Sequence, residues 1–305
     1  MRNKVTVVLG GGLGNQLFQY FAGLYVARRT NSQLQVDSTF SQLGRTGHTD
    51  WIDVLQLPGC QTATYPRYSL NFILAFLRRS WRGLLARIVI TQERQLKYLH
   101  QYRSSEVGYD SMVDFLQPPI TVMGYFQTWR FYHALKLAAL APDVKMTKVS
   151  DWYLQKSELL EGQGRVLGVH VRKGDYLANP RIGVLPASYY AEAVLALTER
   201  QITWDAVWVF SDDVPGAKNE LSSVLTGFSN VYFVEPPVDS HSFESLALMS
   251  KTSALVIANS TFSWWAATLG EPSRMVVCPD KWFSQMEDPT DLCPPDWIRA
   301  SSSWA

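Results

Sequence analysis

Gly168-Val169-His170-Val171-Arg172-Lys173-Gly174-Asp175-Tyr176 reads as a buried strand that ends in charge. Val169 and Val171 alternate with His170 and Arg172, the period-two pattern of a strand delivering polar side chains at its C-terminal end. Burying an Arg is costly unless an anion or a carboxylate meets it. Gly174 lets the backbone turn away at once. The segment is therefore either an ion-paired corner or a binding edge. Open α/β sheets take their ligands at the carboxyl ends of strands, which favours the binding edge.

The pattern repeats outward from this strand. Residues 166–171, 206–210, 231–234, 254–257 and 275–278 form short apolar runs, with helical periodicity at 187–199, 215–225, 243–249 and 262–269 between them. That alternation specifies a parallel, doubly wound sheet. Polar clusters follow four of the strands: His170/Arg172/Asp175, Ser211-Asp212-Asp213, Glu235, and Asn259-Ser260-Thr261. In a parallel sheet all four arrive on one edge.

The N-terminal half opens with a strand over residues 5–9, then Gly10-Gly11-Gly12-Leu13-Gly14-Asn15 and a helix expected from Gln16. Leu17, Phe18, Phe21, Leu24 and Tyr25 make its apolar face. A second strand over 34–36 ends at Asp37, and another over 120–123 leads into the aromatic loop Gly124-Tyr125-Phe126-Gln127-Thr128-Trp129. Residues 40–120 are less periodic, read as helices and loops around a substrate cleft. Glu161-Gly162-Gln163-Gly164 is the expected linker, dividing the 305 residues into domains 1–160 and 165–305, a size that suits two cores.

Composition excludes several classes. A 47% hydrophobic and 18% charged chain is globular, and a net charge of +1 gives no nucleic-acid footprint. Cys60, Cys278 and Cys293 lie far apart, with no metal spacing and no even count, which suggests a reducing compartment. The apolar run after Lys4 is short for a signal peptide, and no run has the length of a membrane span, so a soluble cytoplasmic protein is expected. Segment 69–90 complicates this: apolar residues interleaved with Arg78, Arg79, Arg82 and Arg87 suit either a packed helix with snorkelling arginines or peripheral contact with an anionic membrane, such as the inner membrane face.

The clusters suggest chemistry. Ser260 and Thr261 at a helix start are caps, and the same hydroxyls and N–H groups suit a phosphate. Beside Arg172, a diphosphate explains both. Glu244 opens a helix and is either a dipole partner or an acceptor for guanine's N1–H and amino group. Asp212 and Asp213 suit capping, a ribose or a metal; two adjacent carboxylates are weak grounds for a metal, and capping suits one of them. Gly12-Leu13-Gly14 lacks the third glycine of the dinucleotide fingerprint, although Asp37 sits near the ribose distance.

Gly11-Gly12-Leu13-Gly14-Asn15-Gln16-Leu17-Phe18-Gln19-Tyr20, His170 to Tyr176, Phe210-Ser211-Asp212-Asp213 and Ala258-Asn259-Ser260-Thr261-Phe262-Ser263-Trp264-Trp265 resemble, in order and spread to about residue 282, the bacterial α1,2-fucosyltransferases of glycosyltransferase family 11. The resemblance implies a GT-B fold, two Rossmann-like domains facing a central cleft, with the acceptor side in 1–160 and the nucleotide-sugar side in 165–305. It implies GDP-β-L-fucose as donor, inverting transfer to the 2-OH of a terminal galactose on an oligosaccharide or O-antigen-type precursor, and no metal or other cofactor. Arg172 then matches the arginine on the β-phosphate, and His170 the histidine near the nucleoside. Glu244 stands where relatives place a guanine-reading acid. Asn259, Ser260, Thr261 and Ser263 match the phosphate-side loop, with Asp212 on the donor side, and Gly12, Gly14 and Asn15 match the glycine loop facing the sugar. Arg172 and Asn15 are the expected catalytic pair. Lys173 departs from a usual second Arg and loses its planar fork; Ala266 replaces a common Gly. Asp37, His48 and Asp50 are candidates for the base. Two rivals are a nicotinamide-dinucleotide oxidoreductase using Gly12, Gly14 and Asp37, and a non-catalytic sugar-nucleotide or glycan-binding protein.

Overall fold

Val5 and Val7 are buried, and they make Lys4–Val8 the central strand β1 of the first sheet. The structure, a computed structural model, describes residues 3–38, 55–57, 60–63 (backbone only), 100–200 and 202–304. Segment 69–90, His48 and Asp50 lie outside the described residues. The remaining strands of this half are β2 (Gln33–Asp37), β3 (Leu55–Gln56), β4 (Cys60–Ala63), β5 (Gln101–Arg103), β6 (Ile120–Met123) and β7 (Lys145–Met146). Five of them form a sheet in the order β4-β2-β1-β6-β5, every pair parallel.

Helix α1 (Leu13–Arg29) starts earlier than its apolar periodicity suggests. Gly12 is the extended N-cap residue, and the Gln16 N–H closes the first turn on the Gly12 carbonyl at 3.1 Å. The helix lies close over β1: a Cβ on Gly23 would stand 2.7 Å from the Val7 Cβ. Helix α2 (Trp129–Leu137) follows the aromatic loop, capped by the Thr128 hydroxyl.

The chain divides into two compact units, Met1–Lys145 and Met146–Ala305. Glu161 to Gly164 therefore falls inside the second unit, as the turn from helix α3 (Asp151–Glu161) into β8 (Val166–Val171). Helix α3 stays with this unit because Ser150, its N-cap, is bonded to Glu244.

The second unit continues through α4 (Ala187–Thr198), β9 (Ala206–Ser211), α5 (Val214–Leu221), β10 (Val231–Val234), α6 (Ser242–Ser250), β11 (Ala254–Val256), α7 (Thr261–Leu269), β12 (Met275–Pro279) and β13 (Ile298–Ala300). Its six strands run in the order β10-β9-β8-β11-β12-β13, all parallel. The direction of strand addition reverses between β8 and β11, as doubly wound sheets require. Leu167, Val169, Val207, Val209, Val256 and Val277 fill the core from the sheet. Gly168 is needed there, since a Cβ would stand 2.7 Å from Leu255 Cδ1 and 2.8 Å from Thr252 Oγ1.

Two elements of this unit are tied by a half-buried arginine. The Arg274 Nη1 donates to the Met249, Ser250 and Thr252 carbonyls at the end of α6, and Nη2 to the Ala266 carbonyl of α7. Burial pulls its guanidinium down to about 10. Cys278 and Cys293, distant in sequence, are free thiols that lie beside each other. That contact, then the Arg299 charge, holds the Cys278 thiol below its usual range. Among the described residues, no helix is long and apolar enough to cross a membrane.

Candidate active site

Arg172 leaves the C-terminal end of β8, at the crevice where the strand order reverses. Its Nη1 meets Asp212 Oδ2 at 3.1 Å and its Nη2 meets Asp175 Oδ1 at 2.5 Å, with a quarter of the side chain exposed. The guanidinium lies over the Tyr176 ring, 5.1 Å from its centroid, and the Tyr176 side chain neighbours that of Ser260. Arg172 Nε is buried without a partner. The corner is thus ion-paired and still has an unused donor.

Asp212 and Asp213 divide their work. Asp212 Oδ1 accepts the Lys173 N–H at 3.0 Å while Oδ2 holds Arg172. Asp213 caps α5, accepting the Gly216 N–H at 3.0 Å, which meets the expectation that one of the pair is a cap. Lys173 turns its Nζ to Glu220 of α5 at 2.7 Å, so it adds no second cation beside Arg172. Glu235 pairs with Lys218 at 3.0 Å on the surface. Among the described residues, no group of three or more His, Cys, Asp or Glu is placed to hold a metal ion.

His170 is buried at the penultimate position of β8. Burial, then the neighbouring Arg172 charge, pushes its imidazole down to about 3. It is therefore neutral at pH 7 and suited to hydrogen bonding rather than to ion pairing with phosphate. Its Nδ1 is buried without a partner, and its ring faces Phe262 at 5.9 Å between centroids.

The start of α7 completes this edge. Ser260 is the N-cap, its Oγ accepting the Phe262 N–H at 3.3 Å, and Thr261 is the first helical residue. Ser263 does not face a ligand: fully buried, it donates to the Ser260 and Ala258 carbonyls at 3.2 and 3.4 Å. Asn259 is also turned inward. Its Nδ2 serves the Ile182, Gly183 and Trp282 carbonyls, leaving Oδ1 without a partner.

Glu244 departs most from the reading of the sequence. It is 3% exposed, and its Oε1 and Oε2 accept the Ser150 N–H at 2.6 Å and Oγ–H at 2.9 Å. Ser150 in turn caps α3 through the Tyr153 N–H. The carboxylate is a lock between α3 and α6, and it stands in the first turn of α6, where the dipole-partner alternative placed it.

In the first unit, Gly11 takes φ +78°, a conformation open to glycine. Gly12 and Gly14 lead into α1 without that need. Asn15 Oδ1 accepts from Gln127 Nε2 at 3.0 Å, and Gln19 bridges Gly10 and Gly124. Asp37 ends β2, buried, with its carbonyl accepting the Leu9 N–H. Gln19, Gln127 and Tyr176, which stand beside the candidate residues, were missed; a buried Gln within the apolar run of α1 and another in the aromatic loop were the available signal.

Known proteins share this plan. The chain is 27% identical to the O-antigen biosynthesis glycosyltransferase WbnK of Escherichia coli, over 95% of this chain and 98% of that protein. It is 26% identical to an alpha-1,2-colitosyltransferase of Escherichia coli, over 97% and 98%. The crystal structure of the NodZ alpha-1,6-fucosyltransferase soaked with GDP-fucose matches with a TM-score of 0.51 at 14% identity, over 88% of this chain and 93% of that one; NodZ comes from Bradyrhizobium. That likeness is one of fold, the GT-B-type α/β architecture with parallel sheets. The description Glycosyl transferase family 11 matches residues 4–300, so this chain is a glycosyltransferase that belongs to that family.

Proposed function

We propose that this enzyme transfers L-fucose from GDP-β-L-fucose to the 2-OH of a terminal β-galactoside, with inversion, on an oligosaccharide such as an O-antigen precursor. The observation that carries the reading is the crevice between β8 and β11. Arg172 Nε and His170 Nδ1 are both buried there without hydrogen-bond partners. Buried polar groups are normally satisfied, so two at one switch point indicate a polar ligand. A helix start beside them favours an anionic one.

Departure of GDP puts negative charge on the β-phosphate. Arg172 stabilises that charge more strongly in the transition state than in the ground state, with Ser260, Thr261 and the N–H groups of α7 on the same diphosphate. Asp175 and Asp212 hold the guanidinium meanwhile. His170, neutral, contacts the nucleoside, and Asn259 and Ser263 shape the loop from within. Asn15 of the glycine loop faces the sugar. Among the candidates for a base, Asp37 is the described one, at the end of β2.

A second donor has a specific observation behind it, the likeness to an alpha-1,2-colitosyltransferase. Colitose is fucose without its 3-hydroxyl, so the same diphosphate site serves both. Release of GDP from GDP-fucose and GDP-colitose, each with lactose added, tests the proposal. Release that depends on lactose supports transfer, and the faster donor names the sugar. No release from either donor with any galactoside sinks it.

A further inference from the structure

In the first unit the strand order reverses between β1 and β6, and the loops after these two strands are stitched by carboxamides. Gln19 accepts the Gly10 N–H at 2.8 Å and donates to the Gly124 carbonyl at 3.2 Å. Gln127 Nε2 donates to Asn15 Oδ1 at 3.0 Å. The Gln127 backbone is fixed too, its N–H donating to the Val107 carbonyl at 2.8 Å.

Gln127 is 7% exposed, yet its Oε1 has no hydrogen-bond partner. The residue before it, Phe126, holds φ +54°, unusual for a bulky side chain, and such outliers gather at ligand sites. Gly124 has no room for a side chain, since a Cβ would stand 2.7 Å from Phe126 Cζ. Tyr125 beside them is 51% exposed. The loop is built tightly around an amide oxygen that nothing satisfies.

We propose that Gln127, seated on Asn15, binds a hydroxyl of the acceptor sugar and thereby fixes its pose. This rests on the glycosyl-transfer reading above. A hydroxyl both donates and accepts, so it satisfies the free end of the amide in either orientation. In the orientation with Oε1 free, a phosphate offers only acceptor oxygens and would be repelled. The exposed Tyr125 ring supplies an apolar face of the kind a pyranose covers.

Gln127→Met removes both polar ends at similar volume. With lactose as acceptor, its KM should rise roughly tenfold or more, with GDP affinity by calorimetry and the KM for the donor unchanged. Gln127→Glu keeps an oxygen there, and Asn15 can turn its Nδ2 toward it; lactose KM should return to within about threefold of wild type. A lactose KM unchanged in Gln127→Met, or a rise shared with donor KM or GDP affinity, overturns the proposal. If Gln127→Met does not fold, Gln127→Glu decides, and a tenfold rise there overturns it. Saturation-transfer NMR of lactose without donor separates the two readings. Lactose bound through Gln127 by an enzyme that releases no GDP keeps this inference and removes the donor assignment. Turnover of GDP-fucose indifferent to Gln127 does the reverse, and a wild type that neither binds lactose nor transfers to it overturns both.

Discussion

Arg172 and Asp212 meet across neighbouring strand ends, Nη1 to Oδ2 at 3.1 Å, while Asp212 Oδ1 also fixes the Lys173 N–H. One carboxylate thus orients both the arginine and the backbone that delivers it. A partly exposed ion pair of this kind contributes modestly to stability. Its value lies in orientation, because a planar guanidinium binds phosphate well only when its fork is aimed.

Arg172→Ala should therefore lower kcat/KM for the donor by about one to two orders of magnitude, with the melting temperature near that of wild type. Asp212→Asn keeps an acceptor for Lys173 and weakens the pair, so a smaller loss, roughly three- to tenfold, is expected. Steady-state kinetics on both variants check this. Wild-type turnover in Arg172→Ala would remove it from the donor site.

Glu244 separates a structural role from a recognition role. Truncation to Ala strands the Ser150 N–H and hydroxyl, both bonded to it now, and should cost about 1–3 kcal/mol of stability. Ser150→Ala should lose part of the same energy, and the double variant less than the sum. Thermal unfolding with GDP calorimetry tells the roles apart. An unchanged melting temperature with weakened GDP binding would restore Glu244 to the guanine.

Much of the second unit was legible. Parallel strands buried on both faces read as apolar runs, and Val166–Val171 and Val231–Val234 have the bounds their runs suggest. The polar strand ends fell on one edge because parallel pairing leaves no alternative. Helix α3 was not legible: only Ser157 and Leu160 of its residues are buried, so it has no clean apolar face, although Ser150 is a recognisable cap. β13, at three residues, is too short for any period. The destinations of charges were the least readable. Lys173 finds Glu220 on the next element but two, 47 residues on, and Glu244 finds Ser150, 94 residues back. Tertiary packing chooses such partners, and no local pattern records them.

His170 should make stability depend on acid. Its imidazole lies at about 3 in the folded chain and near 6.5 when unfolded. Above about pH 6.5 both states are neutral there and no slope arises. As pH falls from about 6.5 toward 3, the unfolded chain takes up a proton that the folded chain refuses, so stability is lost. Melting temperatures across about pH 5 to 8 should show this component in wild type and lack it in His170→Gln. Parallel curves would mean that His170 takes up its proton in the fold as readily as in the unfolded chain.

Gly174 gives a second test of whether Asp212 aims Arg172. It follows Lys173 directly, and a Cβ there would stand 2.2 Å from Asp212 Oδ2. Its φ is not among the positive ones, so alanine can keep the backbone and even narrow the unfolded ensemble. What must move is the Asp212 carboxylate, the free end of a side chain. Gly174→Ala should leave the melting temperature within a few degrees of wild type and release Arg172 from its orientation, with a loss of donor kcat/KM matching that of Asp212→Ala. In the Asp212→Ala background the new methyl group has nothing to displace, so adding Gly174→Ala should cost no further activity. Fully additive losses in that cycle would show that the glycine serves the turn alone and that Asp212 does not aim Arg172.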